Sequence, residues 1–225
     1  SISEDNAVAR DCIIAEYAGA HVHICHVASK GAIDIIRQAK KRGVNVTSEV
    51  TVHHLTLTDE ACAGYSSATR VSPPLRSWDH VQAMREAVLD GTVDCIVTDH
   101  APHAPEEKDV EFRYAPCGFC GLETSLGVML TDLYHTGIFD LKTIISKMSC
   151  EPAKVFHLPG GTLKEGSVAD ITIMDLNKEW TVDSSKFYTR GKFTPYEGKA
   201  CKGKAVATML HGNFVMRDGV VCTKK

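Results

Sequence analysis

The chain has 225 residues, 44% of them hydrophobic and 24% charged, with a formal net charge of −3. That balance is ordinary for a globular protein and excludes a broad basic surface for nucleic acid. No apolar run approaches the length of a membrane span, and the polar opening SISEDNAVAR is unlike a secretory signal, so no membrane partner is expected. Ser3 can cap a helix over about residues 3–17 that stops at Gly19. No strand precedes that helix to pack it, so the chain reads as beginning inside a fold. Residues 20–27 read as a strand. Ser29 caps a helix in which Ile33, Ile36 and Ala39 follow helical spacing, and Gly43 ends it. Residues 44–52 read as a second strand. Ser77 caps a helix with Val81, Met84 and Val88 on one face and Gly91 after its end, and residues 93–98 are a third strand. Strand and helix in alternation argue for parallel strands with helices outside. Residues 106–120 have no clear period and read as a long loop of the lid or binding type. Helices are predicted over 122–135 and 141–147, and a short one follows Glu151-Pro152, proline being tolerated in a first turn.

From Leu158 onward glycines punctuate short β-rich runs, among them ADITIMDL and a hairpin around His211-Gly212-Asn213. The expected division is therefore an α/β part over 1–157 and a β-rich accessory segment over 158–225. Three parallel strands are too few for a βα barrel, which needs eight. The nine cysteines are scattered and odd in number, and read as reduced, mostly buried thiols of a cytoplasmic protein.

In parallel α/β folds chemistry sits at the carboxyl ends of the strands. The first strand ends at His26, the second at Glu49 to His54, and the third in CIVTDHAPH, where an apolar run stops at Asp99 and His103 follows the stiffening Pro102. His21 and His23 form an H-x-H pair, but at the wrong end of their strand. They are expected to be structural, and His26 a metal ligand. A lone histidine of this kind is ordinarily a hydrogen-bonded core residue. The company of Asp99 argues otherwise, because an acid buried after Cys95, Ile96 and Val97 is costly unless a cation keeps it ionised. His103 is suited to hold a substrate anion. Cys117-Gly118-Phe119-Cys120 has thioredoxin-like spacing. A long loop precedes it rather than a strand, and no second C-x-x-C completes a zinc site, so a redox role is disfavoured.

HICHVAS, SEVTVHHLTLTDE, RVSPPLRS, CIVTDHAPHAPEEK, APCGFCGLETSLGVML and GSVADITIMDL, in this order, resemble the bacterial-type dihydroorotases of the amidohydrolase superfamily. The resemblance implies the carboxyl-terminal part of a metal-dependent (β/α)8 TIM-type barrel, strands six to eight with their helices, plus part of a small β-sandwich. It implies a two-zinc site and the reversible interconversion of N-carbamoyl-L-aspartate and L-dihydroorotate in pyrimidine synthesis. His26 falls on the sixth-strand metal ligand, and Asp99 on the eighth-strand acid that is both ligand and proton carrier. His103 falls on a contact to the substrate carboxylate. Ser72 stands where the family usually has asparagine, and Cys117, usually phenylalanine, pairs with Gly118 in a segment whose backbone touches the substrate ring. The family's first-strand H-x-H pair, its arginine, its bridging acid or carboxylated lysine and its fifth-strand histidine have no match here. The implied partners are therefore the small-molecule substrate, the amino-terminal half of the barrel in the same or a second chain, and, as an option, a second copy of the protein. Hydantoinases, dihydropyrimidinases and allantoinases share the aspartate but usually lack the last histidine of Asp-His-Ala-Pro-His. They are the alternative enzymes, and a non-catalytic scaffold is the alternative outside catalysis.

Overall fold

The computed structural model describes residues 1–222. Packing divides them into two compact units, one of Ser1–Glu123 with Asp183–Glu197, the other of Thr124–Val182 with the chain from Gly198 on.

In the first unit, helix α1 (Ile2–Ala18) ends at Gly19, whose φ of 62° is the left-handed stop that glycine supplies without penalty. Its N-cap is Ser1 rather than Ser3. Strands β1 (Val22–Ile24), β2 (Val46–Thr51) and β3 (Cys95–Val97) form a parallel sheet in that order, with Val22 opposite Val46 and Glu49 opposite Cys95. Between β1 and β2 runs α2 (Lys30–Lys41), capped by the Ser29 hydroxyl, which accepts from the Ala32 N–H. Ala32, Ile33, Ile36 and Ala39 make its buried stripe; Ile33 and Ile36 each contribute about 1.5–3 kcal/mol by leaving water. Helix α4 (Trp78–Leu89) follows the same logic with Val81, Met84 and Val88 buried. Lys40 grips both oxygens of Asp94 at 2.9 and 2.7 Å, and Asp94 in turn accepts from the Ser48 amide, so the start of β3 is pinned to β2.

The outer two strands are shorter than predicted. His26 and Asp99 have φ of 39° and 48°, a left-handed turn that takes the backbone off the pleat. The predicted loop over 106–120 begins with a helical turn, α5 (Pro105–Lys108), whose Ala104 N–H donates to the Glu107 carboxylate.

In the second unit the predicted helix over 122–135 is α6 (Ser125–Met129) continued as a π-helical turn over Leu130–Tyr134. Thr131 explains the change: its hydroxyl donates to the Gly127 carbonyl at 2.6 Å and accepts the Lys202 amide at 2.8 Å, diverting the helix's own ladder. Likewise α7 (Leu141–Ile145) passes through a π turn (Ser146–Cys150) into α8 (Glu151–Val155). Four antiparallel strands follow in sheet order: β4 (Ile171–Thr181), β5 (Ala200–Leu210), β6 (Asn213–Arg217) and β7 (Val220–Val221). The hairpin at His211-Gly212 has φ of 49° and 77°, the positive pair a two-residue turn requires. By packing, the helices from Thr124 onward group with the antiparallel sheet, and Asp183–Glu197 groups with the parallel one.

Candidate active site

Three turns leave the carboxyl ends of β1, β2 and β3. After β1, His26 keeps a buried ring nitrogen, Nδ1, with no hydrogen-bond partner among the described residues. The chain beyond it is held by Glu4 of α1, whose Oε1 accepts from the Ala28 and Ser29 amides at 2.7 and 2.9 Å. The other oxygen of Glu4 meets Arg76 at 2.8 Å, so one carboxylate ties the turn behind His26 to the end of the segment that carries Ser72.

After β2, the short helix α3 (Val52–Thr56) places His53 and His54 inside the unit. Thr51 accepts from the His54 N–H at 3.2 Å and meets His54 Nδ1 at 2.7 Å, while His54 Nε2 lies 3.1 Å from the Pro73 carbonyl. A carbonyl can only accept, so Nε2 carries the proton and Nδ1 takes the Thr51 hydroxyl. His54 thereby anchors the residue after Ser72, across a cis Ser72–Pro73 peptide. Burial pushes its pKa from 6.5 down to about 4. His53 lies edge-on to Phe119, with ring centroids 5.0 Å apart, and its buried Nε2 has no hydrogen-bond partner among the described residues. Burial first, then the neighbouring His54 and His26, hold its pKa well below the usual range.

A depressed histidine pKa makes stability depend on pH. The unfolded His54 binds a proton near pH 6.5 and the folded one only near pH 4, so its contribution is complete above 6.5 and is lost as pH falls towards 4. The loss amounts to about 3 kcal/mol. Urea unfolding of His54→Gln at pH 7 and pH 5 should show a smaller loss of stability on acidification than wild type. Equal losses would place the titration elsewhere.

After β3, Asp99 is half-buried, and His103 sits with Nε2 3.0 Å from the Cys117 carbonyl and Nδ1 3.6 Å from Glu107. Gly118 is buried beneath Ala101 and donates to the Arg70 carbonyl at 2.8 Å. His103, Cys117 and Gly118 are thus brought together, and Arg70, two residues before Ser72, joins them. The thiol of Cys25 is pushed up by desolvation first, then by Glu49 and by Asp99.

Below this rim, His23 Nδ1 meets Thr47 at 2.8 Å and Nε2 meets Glu49 at 3.0 Å, and His21 reaches the same Thr47 hydroxyl. This fits the structural role expected of the H-x-H pair. It also gathers donor atoms of His23, Cys25 and Glu49 within 4.8 Å of one another, a grouping that strand alternation in HVHIC contained but that the sequence reading passed over. All nine cysteines are free, yet only four, Cys12, Cys95, Cys120 and Cys201, are buried, which corrects the expectation of mostly buried thiols. Cys25 and Cys117 are among the exposed ones. His53 and His54 were legible as the end of the second strand, but nothing in the sequence marked which would clamp a loop.

Residues 4–215 match the amidohydrolase family, and the chain belongs to it. Within that class it is most instructively set beside dihydroorotases. It is 50% identical over 218 residues to the dihydroorotase of Syntrophus aciditrophicus, covering 97% of this chain and 51% of that one. Against the enzyme of Listeria monocytogenes serotype 4a the identity is 45%, with 98% and 52% covered. The chain spans about half the length of the curated relatives it matches. Among solved structures, L-hydantoinase (dihydropyrimidinase) from Arthrobacter aurescens superposes with a TM-score of 0.93 at 31% identity, over 98% of this chain and 50% of that one. Dihydropyrimidinase from Brevibacillus agri, with a TM-score of 0.90 at 24% identity over 96% and 49%, shares the fold. Among the described residues no helix is long and apolar enough to cross a membrane.

Proposed function

We propose that this chain forms the carboxyl-terminal part of a dihydroorotase, strands six to eight of a (β/α)8 barrel with part of a β-sandwich, acting in pyrimidine synthesis in the cytoplasm. The observation that carries the reading is the 50% identity to a relative named dihydroorotase across 97% of the chain, against 31% for the hydantoinase. In this reading the amino-terminal half of the barrel, in the same or a second polypeptide, supplies the remaining metal donors.

His26 and Asp99 would hold zinc. The unpartnered buried nitrogen of His26 fits a metal donor, and an imidazole with a carboxylate is part of a donor set that zinc accepts. When bound, zinc lowers the pKa of a water to about 7 and polarises the ring amide carbonyl. In the hydrolytic direction Asp99 takes the proton of the attacking water and delivers it to the ring nitrogen as the carbon–nitrogen bond opens; in cyclisation it runs the reverse. Transfer of this type is worth about 10²–10⁴-fold. His103 would pair with the exocyclic carboxylate. The backbone of Cys117 and Gly118 would face the ring, and Ser72 would contact the substrate from the segment that His54 anchors.

The test is to assay the native protein with dihydroorotate, hydantoin and dihydrouracil, alongside intact mass and zinc content. Turnover of dihydroorotate above the other two, with zinc bound, supports the reading. Preference for hydantoin or dihydrouracil makes it a different cyclic amidohydrolase, and a metal-free inert protein makes it a scaffold. His103→Ala should raise KM for dihydroorotate about 10-fold or more with kcat little changed; an unchanged KM would remove the carboxylate contact.

A further inference from the structure

Lys108 is the largest fully buried side chain of the described residues, at 1% exposure, and it lies in a stretch of charged residues where a lysine is ordinarily solvated. No carboxylate pairs with it among the described residues. Its ammonium instead donates to the Pro116 carbonyl at 2.9 Å and the Gly118 carbonyl at 2.8 Å. Those two carbonyls flank Cys117, whose own carbonyl is taken by His103, and the carbonyl of Phe119, two residues on, accepts from the Ala101 amide at 3.0 Å. Four consecutive carbonyls, 116 to 119, are thus fixed from the side of the 101–108 segment. Two of the four bonds come from one nitrogen. The Gly118 amide is fixed from the opposite side by the Arg70 carbonyl. A buried cation costs a great deal unless its hydrogen bonds are satisfied, so a residue that only filled space here would be apolar. The geometry has the form of a clamp, and an ammonium reaches two carbonyls that diverge around a turn where no backbone donor could.

We infer that Lys108 is a positioning residue for substrate binding: its ammonium sets the backbone of residues 116–118 as the edge against which the cyclic substrate lies. The inference rests on the proposed function, in which Cys117 and Gly118 face the ring, and extends it to a residue that touches no substrate itself. Because the segment is shaped before the substrate arrives, the loss should fall on binding rather than on the chemical step.

The test compares Lys108→Met and Lys108→Arg with wild type in the complete enzyme, reading amide hydrogen exchange and steady-state kinetics together. In Lys108→Met the Gly118 and Cys120 amides should exchange at least about 10-fold faster while β2 stays protected. KM for dihydroorotate should rise about 10-fold or more, with kcat within about 3-fold of wild type. Lys108→Arg, which keeps the charge and several donors, should recover part of both effects. Unchanged exchange overturns the clamp. Faster exchange with an unchanged KM overturns the positioning role, as does a collapse of kcat with KM intact. Should the methionine variant not fold, Lys108→Gln, which keeps one amide donor, carries the same comparison. A wild-type protein inert towards dihydroorotate would sink the proposed function instead, and the exchange data would still decide whether Lys108 holds the segment.

Discussion

Asp99→Asn is expected to abolish turnover, with kcat falling by about 10³-fold or more, while the folded structure survives. The amide matches the carboxylate in size, and asparagine tolerates the left-handed backbone, φ 48°, that Asp99 adopts. What it cannot do is accept a proton and pass it on. The check pairs a kinetic assay of the complete enzyme with thermal unfolding. A variant that keeps more than about a tenth of the wild-type rate rejects Asp99 as the proton carrier.

Gly118→Ala should be the most damaging small substitution in the loop. Gly118 has φ of +117°, a conformation side chains rarely adopt, and an added Cβ would sit 2.5 Å from the Cβ of Ala101, 3.1 Å from its carbonyl oxygen and 3.4 Å from Nε2 of His103. The backbone cannot relax freely, because the Gly118 amide and carbonyl are bound to Arg70 and Lys108. Backbone strain and overlap together cost about 2–5 kcal/mol, which lowers the melting temperature by roughly 5–15 °C in a protein of this size. Activity should fall with it, since the segment moves against His103. Calorimetry on Gly118→Ala, with Gly64→Ala as a control whose new Cβ meets nothing within 4 Å, makes the comparison. A shift no larger than the control's would mean that the loop yields easily.

The parts of the fold that were legible in the sequence are those governed by local chemistry. Ser29 as a cap, Gly19 as a stop and the helical spacing of Ile33 and Ile36 all name their own positions, because capping and burial act within a turn or two of the chain. The candidate site was legible for a related reason: apolar runs that stop abruptly at His26 and Asp99 mark strand ends wherever the sheet lies. The left-handed turns that shorten β1 and β3 were not visible, since histidine and aspartate also occur in extended strands. Nor was the π turn at Leu130–Tyr134, which depends on Thr131 meeting Lys202, a residue 71 positions away. Lys108 reads as solvated because nothing local shows the carbonyls that fold back over it. The return of Asp183–Glu197 to the parallel-sheet unit is hidden in the same way, being decided by distant partners such as the Phe193 carbonyl, which receives the Cys120 amide at 2.8 Å.

The turns at His26 and Asp99 carry a further implication for how such a protein evolves. Each holds a residue with a Cβ in a region glycine would occupy freely, at a cost of about 1 kcal/mol apiece. A lineage drifting towards heat tolerance would gain margin by relaxing these two positions to glycine, and would lose in doing so the two side chains that the proposed function assigns to the metal. Resistance to heat in this scaffold therefore has to be gathered elsewhere, in the helices and loops, while the two bent strand tips stay as they are.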